Sequence, residues 1–239
     1  MSAEELEALL TLQDHDTALD RLRHRRATLP ERASLEARTK ELRDQGAQRT
    51  ALQAARADVY TEERRLDDEA RSVESHASDV DKKLYSGSVH SPRELQAMQA
   101  DLEMLRRQLS DLEDKELEVM EQRETLDGRI ATLDTAIAAL ETDAQELRDA
   151  IGAAETEIDA EVASETAARD AQVRAIGSAL VADYERRRAQ NKGAGAARLV
   201  GATCQACHLT IPSTEAEQIR RADGREVAYC DNCGAILVP

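Results

Sequence analysis

The chain contains no Trp and no Phe, and its only aromatics are four Tyr. Without the large rings that supply much of the area in compact cores, a chain of 239 residues is poorly equipped to close one large globule. Proline is as scarce: of four, only Pro30 and Pro92 precede residue 200, so little there interrupts a helix. No apolar run is long enough to cross a bilayer, and the opening stretch MSAEELEALL is acidic where a secretory signal is basic. Positive charge is also in deficit, with 32 Lys and Arg against 48 Asp and Glu, a formal net charge of −16. That balance is unlike a general nucleic-acid binder, whose sequence-independent affinity comes from surplus cations. The expectation is a cytoplasmic protein with no membrane segment and no small-molecule substrate, whose four cysteines are metal ligands rather than disulfides.

What is abundant is Ala, Glu, Leu and Arg, arranged in heptads. An a series Leu95, Leu102, Leu109, Glu116, Arg123, Ile130, Ile137, Ala144, Ile151, Ile158 interleaves with a d series Met98, Leu105, Leu112, Val119, Leu126, Leu133, Leu140, Leu147, Ala154. Sustained over about nine heptads, this period is that of a left-handed supercoil. The preceding segment carries a weaker seam, with d at Leu52, Val59, Leu66, Val73, Val80 and a at Leu35, Leu42, Arg49, Arg56, Glu63, Ala70, Ala77, Leu84. Two seams joined by a short loop predict an antiparallel coiled-coil hairpin.

With the turn centred near residue 88, Val80 faces Leu95, Leu66 faces Leu109 and Leu42 faces Leu133. Arg49, Arg56 and Glu63 then fall level with Glu116 and Arg123. This register predicts an Arg56–Glu116 pair, with Glu63 served by Arg56 or by solvent, and the layer reads as register-setting rather than as a ligand pocket. Pro30 predicts a kink or a broken first helix. The basic run RLRHRR, residues 21–26, falls beside the acidic stretch 141–165, which predicts charge complementarity within the chain. The second helix is expected to continue through Val173, Ile176, Leu180 and Tyr184 to about Gln190, roughly 140–150 Å if unbroken.

The stretch LYSGSVHSPREL interrupts the heptads. Gly87 can end one helix in the left-handed conformation; Ser91 as cap, Pro92 in the first turn and Glu94 as capping-box partner can start the next. Tyr85 is expected to cover the last core layer. Ser86, Ser88 and His90 complete a tip, residues 85–91, that is a candidate contact surface.

Composition changes at Asn191. Gly193 and Gly195 mark residues 191–200 as a flexible or reorientable linker between a hairpin, 1–190, and a small domain, 201–239. That domain holds two C-x-x-C pairs, Cys204 with Cys207 and Cys230 with Cys233, separated by 22 residues. Two such knuckles complete a tetrahedral sulfur site for one zinc, and four thiolates leave no coordination position for an activated water, so the metal is expected to be structural. His208 is expected at the surface or beside the ligands rather than in the ligand set. Between the knuckles PSTEAEQIRRA reads as a helix capped by Ser213 or Thr214, and REVAYC, GAILV and ARLVG read as strands. At the junction Arg186, Arg187, Arg188, Lys192 and Arg198 form a basic collar; with Arg220 and Arg221 of the small domain they are candidate contacts to nucleic acid or another partner, although cations also suit a helix C-terminus.

In combination, YSG and SPREL at the tip with GATCQACHLTIP and YCDNCGAILV at the knuckles resemble the bacterial family of C4-type zinc-ribbon proteins with an N-terminal coiled-coil hairpin, over essentially the whole chain. The resemblance implies a ribbon related to nucleic-acid-binding ribbons. By position it supports Cys204, Cys207, Cys230 and Cys233 as zinc ligands and marks Tyr85, Ser86, Gly87, Ser91, Pro92 and Glu94 as a tip motif. Some members of that family look like adaptors for an alternative sigma factor, secretion components or a flagellin messenger RNA, and no partner carries over from them. The expected function is a non-enzymatic adaptor that presents the ribbon on a coiled-coil rod for macromolecular recognition, with nucleic acid favoured. The alternative is a protein-binding scaffold or chaperone that uses the coil and its tip, its ribbon purely structural. No nucleophile with its base and no open metal site points to an enzyme. Uncovered seam near the N-terminus leaves homodimerisation open.

Overall fold

A computed structural model describes residues 2–222 and 226–239. Helix α1 spans Ala3–Ala27. It opens on a capping box: the Glu5 N–H donates to the Ser2 hydroxyl at 3.2 Å and the Ser2 N–H donates to the Glu5 carboxylate at 2.9 Å. The first helix is broken, as Pro30 predicts, and α2, Pro30–Tyr85, starts on that proline, whose missing N–H costs nothing in a first turn. Helix α3, Pro92–Ala175, starts on the other, after a turn in which Gly87 adopts φ +71°.

The expected unbroken run to residue 190 does not occur. The chain leaves the helix at Ile176 and Gly177, where ψ is 133°, and a separate helix α4, Ser178–Gln190, begins with Leu180 N–H and Val181 N–H donating to the Gly177 carbonyl. Burial of Ile176 in a core shared with Leu180 compensates for the lost helical bonds. The small domain follows as β1 (Ala196–Val200), β2 (Thr203–Cys204), α5 (Ser213–Ala222), β3 (Ala228–Tyr229) and β4 (Ile236–Val238), in a sheet of order β2-β1-β4-β3. Strands β1 and β4 pair in parallel, and the other pairs are antiparallel. The expected strand REVAYC reduces to β3; its Arg225, like the neighbouring Asp223, lies outside the described residues.

The chain divides into two compact units, Met1–Ala33 with Leu147–Pro239, and Ser34–Glu146. In the second unit the heptad reading holds: Leu66, Ala70, Val73, Ala77 and Val80 pack with Leu102, Leu105 and Leu112. The register of the polar layer is different from the expected one. Arg56 pairs with Asp127 at 2.8 Å rather than with Glu116, Arg49 pairs with Asp134 at 3.2 Å, and Arg123 bonds both carboxylate oxygens of Glu63, at 2.6 and 2.7 Å. The partners of Arg49 and Arg56 lie about two helical turns beyond the expected level. Heptads repeat every seven residues, so the apolar pattern tolerates such a slip and only the charges reveal it.

In the first unit the run 21–26 pairs across to α3 as expected, with Arg25 on Glu161 and Arg26 on both Glu155 and Asp159. Leu6, Leu9 and Leu12 of α1, Leu180 and Tyr184 of α4, Ala196 of β1 and Ile236 and Val238 of β4 share one core.

Candidate metal centre and the surfaces beside it

Each cysteine pair sits on a tight turn closed by backbone bonds. The Cys204 carbonyl accepts from His208 N–H at 2.8 Å, and Cys204 N–H donates to the Leu209 carbonyl at 3.1 Å. The second turn repeats the pattern with Gly234 N–H on the Cys230 carbonyl at 2.7 Å and Cys230 N–H on the Ala235 carbonyl at 2.9 Å. Such a turn needs a left-handed residue just after its second cysteine, a role filled by Gly234 at φ +76° and by His208 at φ +58°. The exposed His208 thus serves the backbone of its turn.

The four sulfur atoms lie within 4.8 Å of one another, with Cys204 3.9 Å from Cys233 and Cys207 3.8 Å from Cys230. Tetrahedral zinc with Zn–S bonds of about 2.3 Å places its sulfurs about 3.8 Å apart, so number, chemistry and spacing all fit one structural zinc ion. Burial pushes the Cys204 thiol up and the Cys233 thiol up to about 12, whereas the Leu209 N–H holds the Cys207 thiol down. Thiols crowded in this way give up their protons to a metal, which supplies the charge that burial withholds.

The collar arginines are engaged inside the chain. Arg187 donates to the Gly234 carbonyl at 2.7 Å and to Asp183 at 3.1 Å, and stacks 3.6 Å from the centroid of Tyr229. Arg186 also bonds Asp183, Arg188 bonds Asp20 at 2.5 Å, and Arg198 bonds Glu7 at 2.6 Å. Arg220 donates to the Gly201 carbonyl at 3.1 Å and Arg221 to Glu217 at 2.7 Å. Lys192, at φ +46°, is exposed. Burial pushes the Asp183 carboxyl up, but hydrogen bonds from Arg187, Arg186 and Tyr229 prevail and hold it below its ordinary value.

Sequence reasoning missed the groups that organise this region. Asp16 is 3% exposed and accepts from the Tyr184 hydroxyl at 2.7 Å and from Arg169 at 2.8 Å. Burial, then the bond to Asp16, raises the Tyr184 phenol well above its usual value. The signal was the spacing, because Asp16 occupies a core position between Leu12 and Leu19. Gln13 was also missed: its carbonyl accepts from Gly195 N–H at 2.7 Å and its amide donates to the Gly193 carbonyl at 2.8 Å. Gly193 and Gly195, expected to give a flexible or reorientable linker, are each bonded to α1 through Gln13. At Gly195 a Cβ would lie 2.6 Å from the Tyr184 ring, so glycine here is required by contact.

At the tip, Tyr85 is 78% exposed and does not cover the last core layer; Leu84 packs there instead. The Ser86 hydroxyl bonds that of Ser88 at 2.6 Å and donates to the Lys83 carbonyl at 2.8 Å, while His90 is exposed. Elsewhere in the same unit Leu117 and Met120 stand 59% and 40% exposed on α3. Glu113 and Glu124 share their helix face, and neither carboxylate has an ion pair among the described residues. Among those residues no helix is long and apolar enough to cross a membrane.

The model of the CT398-like coiled coil hairpin domain matches residues 12–192, and that of the C4-type zinc ribbon domain matches residues 203–237. An uncharacterised protein of Mycobacterium tuberculosis is 33% identical over 231 residues, 97% of this chain and 94% of its own length. A solved structure from Mycobacterium smegmatis is 31% identical with a TM-score of 0.88, over 100% of this chain and 98% of that one. CT398 from Chlamydia trachomatis, 18% identical over 98% and 97% of the two chains with a TM-score of 0.53, has the same fold.

Proposed function

The chain belongs to the CT398-like coiled coil hairpin family, and we propose that it acts there as a non-enzymatic scaffold that binds another protein through its helical hairpin. The observation that carries this reading is the α3 face on which exposed Leu117 and Met120 stand between the carboxylates of Glu113 and Glu124. Exposed apolar side chains cost free energy in water, and placed inside a charged rim they have the make-up of an anchor for a protein surface. Nucleic acid, favoured by the sequence, is disfavoured by the pairing: Arg186, Arg187, Arg188 and Arg198 each meet an acid of the same chain. Of the seven candidate cations, Lys192 and Arg220 are the two that meet no acid among the described residues, which leaves few charges to displace counterions from phosphate. The zinc then has a structural task.

The test is affinity capture from the native cell with the wild-type chain and with the double variant Leu117→Glu, Met120→Glu. A protein retained by the wild type and lost from the variant, both carrying the same zinc content, is the expected result. Salt-dependent binding of RNA or DNA by the full chain, with captured proteins unchanged in the variant, would replace this reading with the nucleic-acid one.

A further inference from the structure

We propose that the zinc ribbon is a metal-dependent latch on the helices of its own unit, so that loss of the metal frees the apolar face of α1. This latch does not depend on the partner proposed above; it involves residues on both sides of one pair of strands. Side chains alternate across β1 and β4. On one face Ala197, Leu199, Ala235 and Leu237 pack with Cys204 and Cys230 in the ribbon core. On the other, Ala196, Ile236 and Val238 pack with Leu6, Leu9, Leu12 and Tyr184. The same strands therefore line the metal side and the helix side.

The ribbon core is built largely of alanine and cysteine, too little apolar volume to hold a four-stranded sheet without a metal cross-link. Polar ties couple it to the helices beside the second cysteine turn. Gly234, which follows Cys233, gives its carbonyl to Arg187 of α4 at 2.7 Å while its N–H closes the cysteine turn. Two residues later Ile236 N–H donates to the Gly195 carbonyl at 2.9 Å, and the N–H of Gly195 is held by Gln13 of α1. When the thiolates lose their ion, this stretch loses the geometry that seats Arg187 and that presses Ile236 and Val238 onto α1. Leu6, Leu9 and Leu12, all at 2% exposure or less, would then face water.

Hydrogen exchange of the full chain, with zinc and after chelation, tests the latch. Protection in residues 6–12 and 180–184 is expected to fall at least tenfold on metal removal and to return on addition of one equivalent of zinc. Residues 66–80 and 102–112, in the other unit, serve as the unchanged control. Loss confined to residues 196–239 would overturn the proposal. If the metal-free chain aggregates, Ile236→Ala gives a second measurement on loaded protein: zinc content stays at one per chain while residues 6–12 lose protection, and unaltered protection there sinks the idea.

Discussion

In the unit Ser34–Glu146 the buried side chains form a single seam between two helices, and the ion pair on that seam, Glu63 with Arg123, keeps 14% and 30% of its side-chain exposure. In the other unit a carboxylate, Asp16, is 3% exposed and Tyr184 is fully buried. A two-helix seam has an open flank at every level, so a long polar side chain can always reach water and needs only a rough partner. Where α1, α4 and a sheet converge there is no such flank, and a buried carboxylate must have its donors placed around it. One unit is tolerant and periodic; the other is enclosed and specific.

The contrast predicts unequal responses to substitution. Tyr184→Ala is expected to destabilise its unit by about 3–5 kcal/mol, by leaving a ring-sized void and by removing the hydrogen bond that Asp16 accepts from the phenol. Leu105→Ala is expected to cost about 2–4 kcal/mol in the other unit, where the seam can partly collapse. Urea unfolding followed by hydrogen exchange in each unit would measure both, and equal losses spread over both units would dissolve the distinction.

Acid should separate the units next. The Asp183 carboxyl is held below its ordinary value, so its contribution is complete above the usual carboxylate range and is lost as pH falls through the lower folded value. The difference in urea midpoint between wild type and Asp183→Asn should therefore shrink below about pH 4. A difference that stays constant from neutral to acid pH would mean that Asp183 acts through shape alone. The smallest effect is expected on the seam. Replacing Glu63 and Arg123 together by Leu should be neutral or mildly stabilising, whereas Arg123→Leu alone, which strands Glu63, should cost about 1–2 kcal/mol. Calorimetry of the single and double variants checks the sign.

The difference between the units also explains what was readable in the sequence. Leu102, Leu105 and Leu112 announce their burial by spacing, because a heptad is a local rule. Cys204, Cys207, Cys230 and Cys233 announce the metal in the same way, by chemistry and short separation. The pairing of Arg56 with Asp127 is set by a register that every heptad repeats and no local residue marks. Arg188 and Arg198 read as free positive charge because Asp20 and Glu7 lie far away in sequence and come near only once α1, α4 and β1 share a core, whereas Asp183, the partner of Arg186 and Arg187, is a single helical turn away and was legible. The break at Gly177 was hidden because Ile176 and Leu180 are spaced as in a continuous helix while the fold turns them into a new core.

The turn around Gly87 has a practical consequence. Its glycine has no neighbour within 4 Å of where a side chain would begin, and the residues beside it, Ser86 and Ser88, are exposed and bonded chiefly to each other. Nothing in either core depends on its length, and doubling a flexible loop costs only about 0.6 kcal/mol. The junction between Ser88 and Val89 is therefore a place where an epitope or a fluorescent reporter can be spliced into the chain, a route that leaves unmodified the four cysteines that a conventional label would attack.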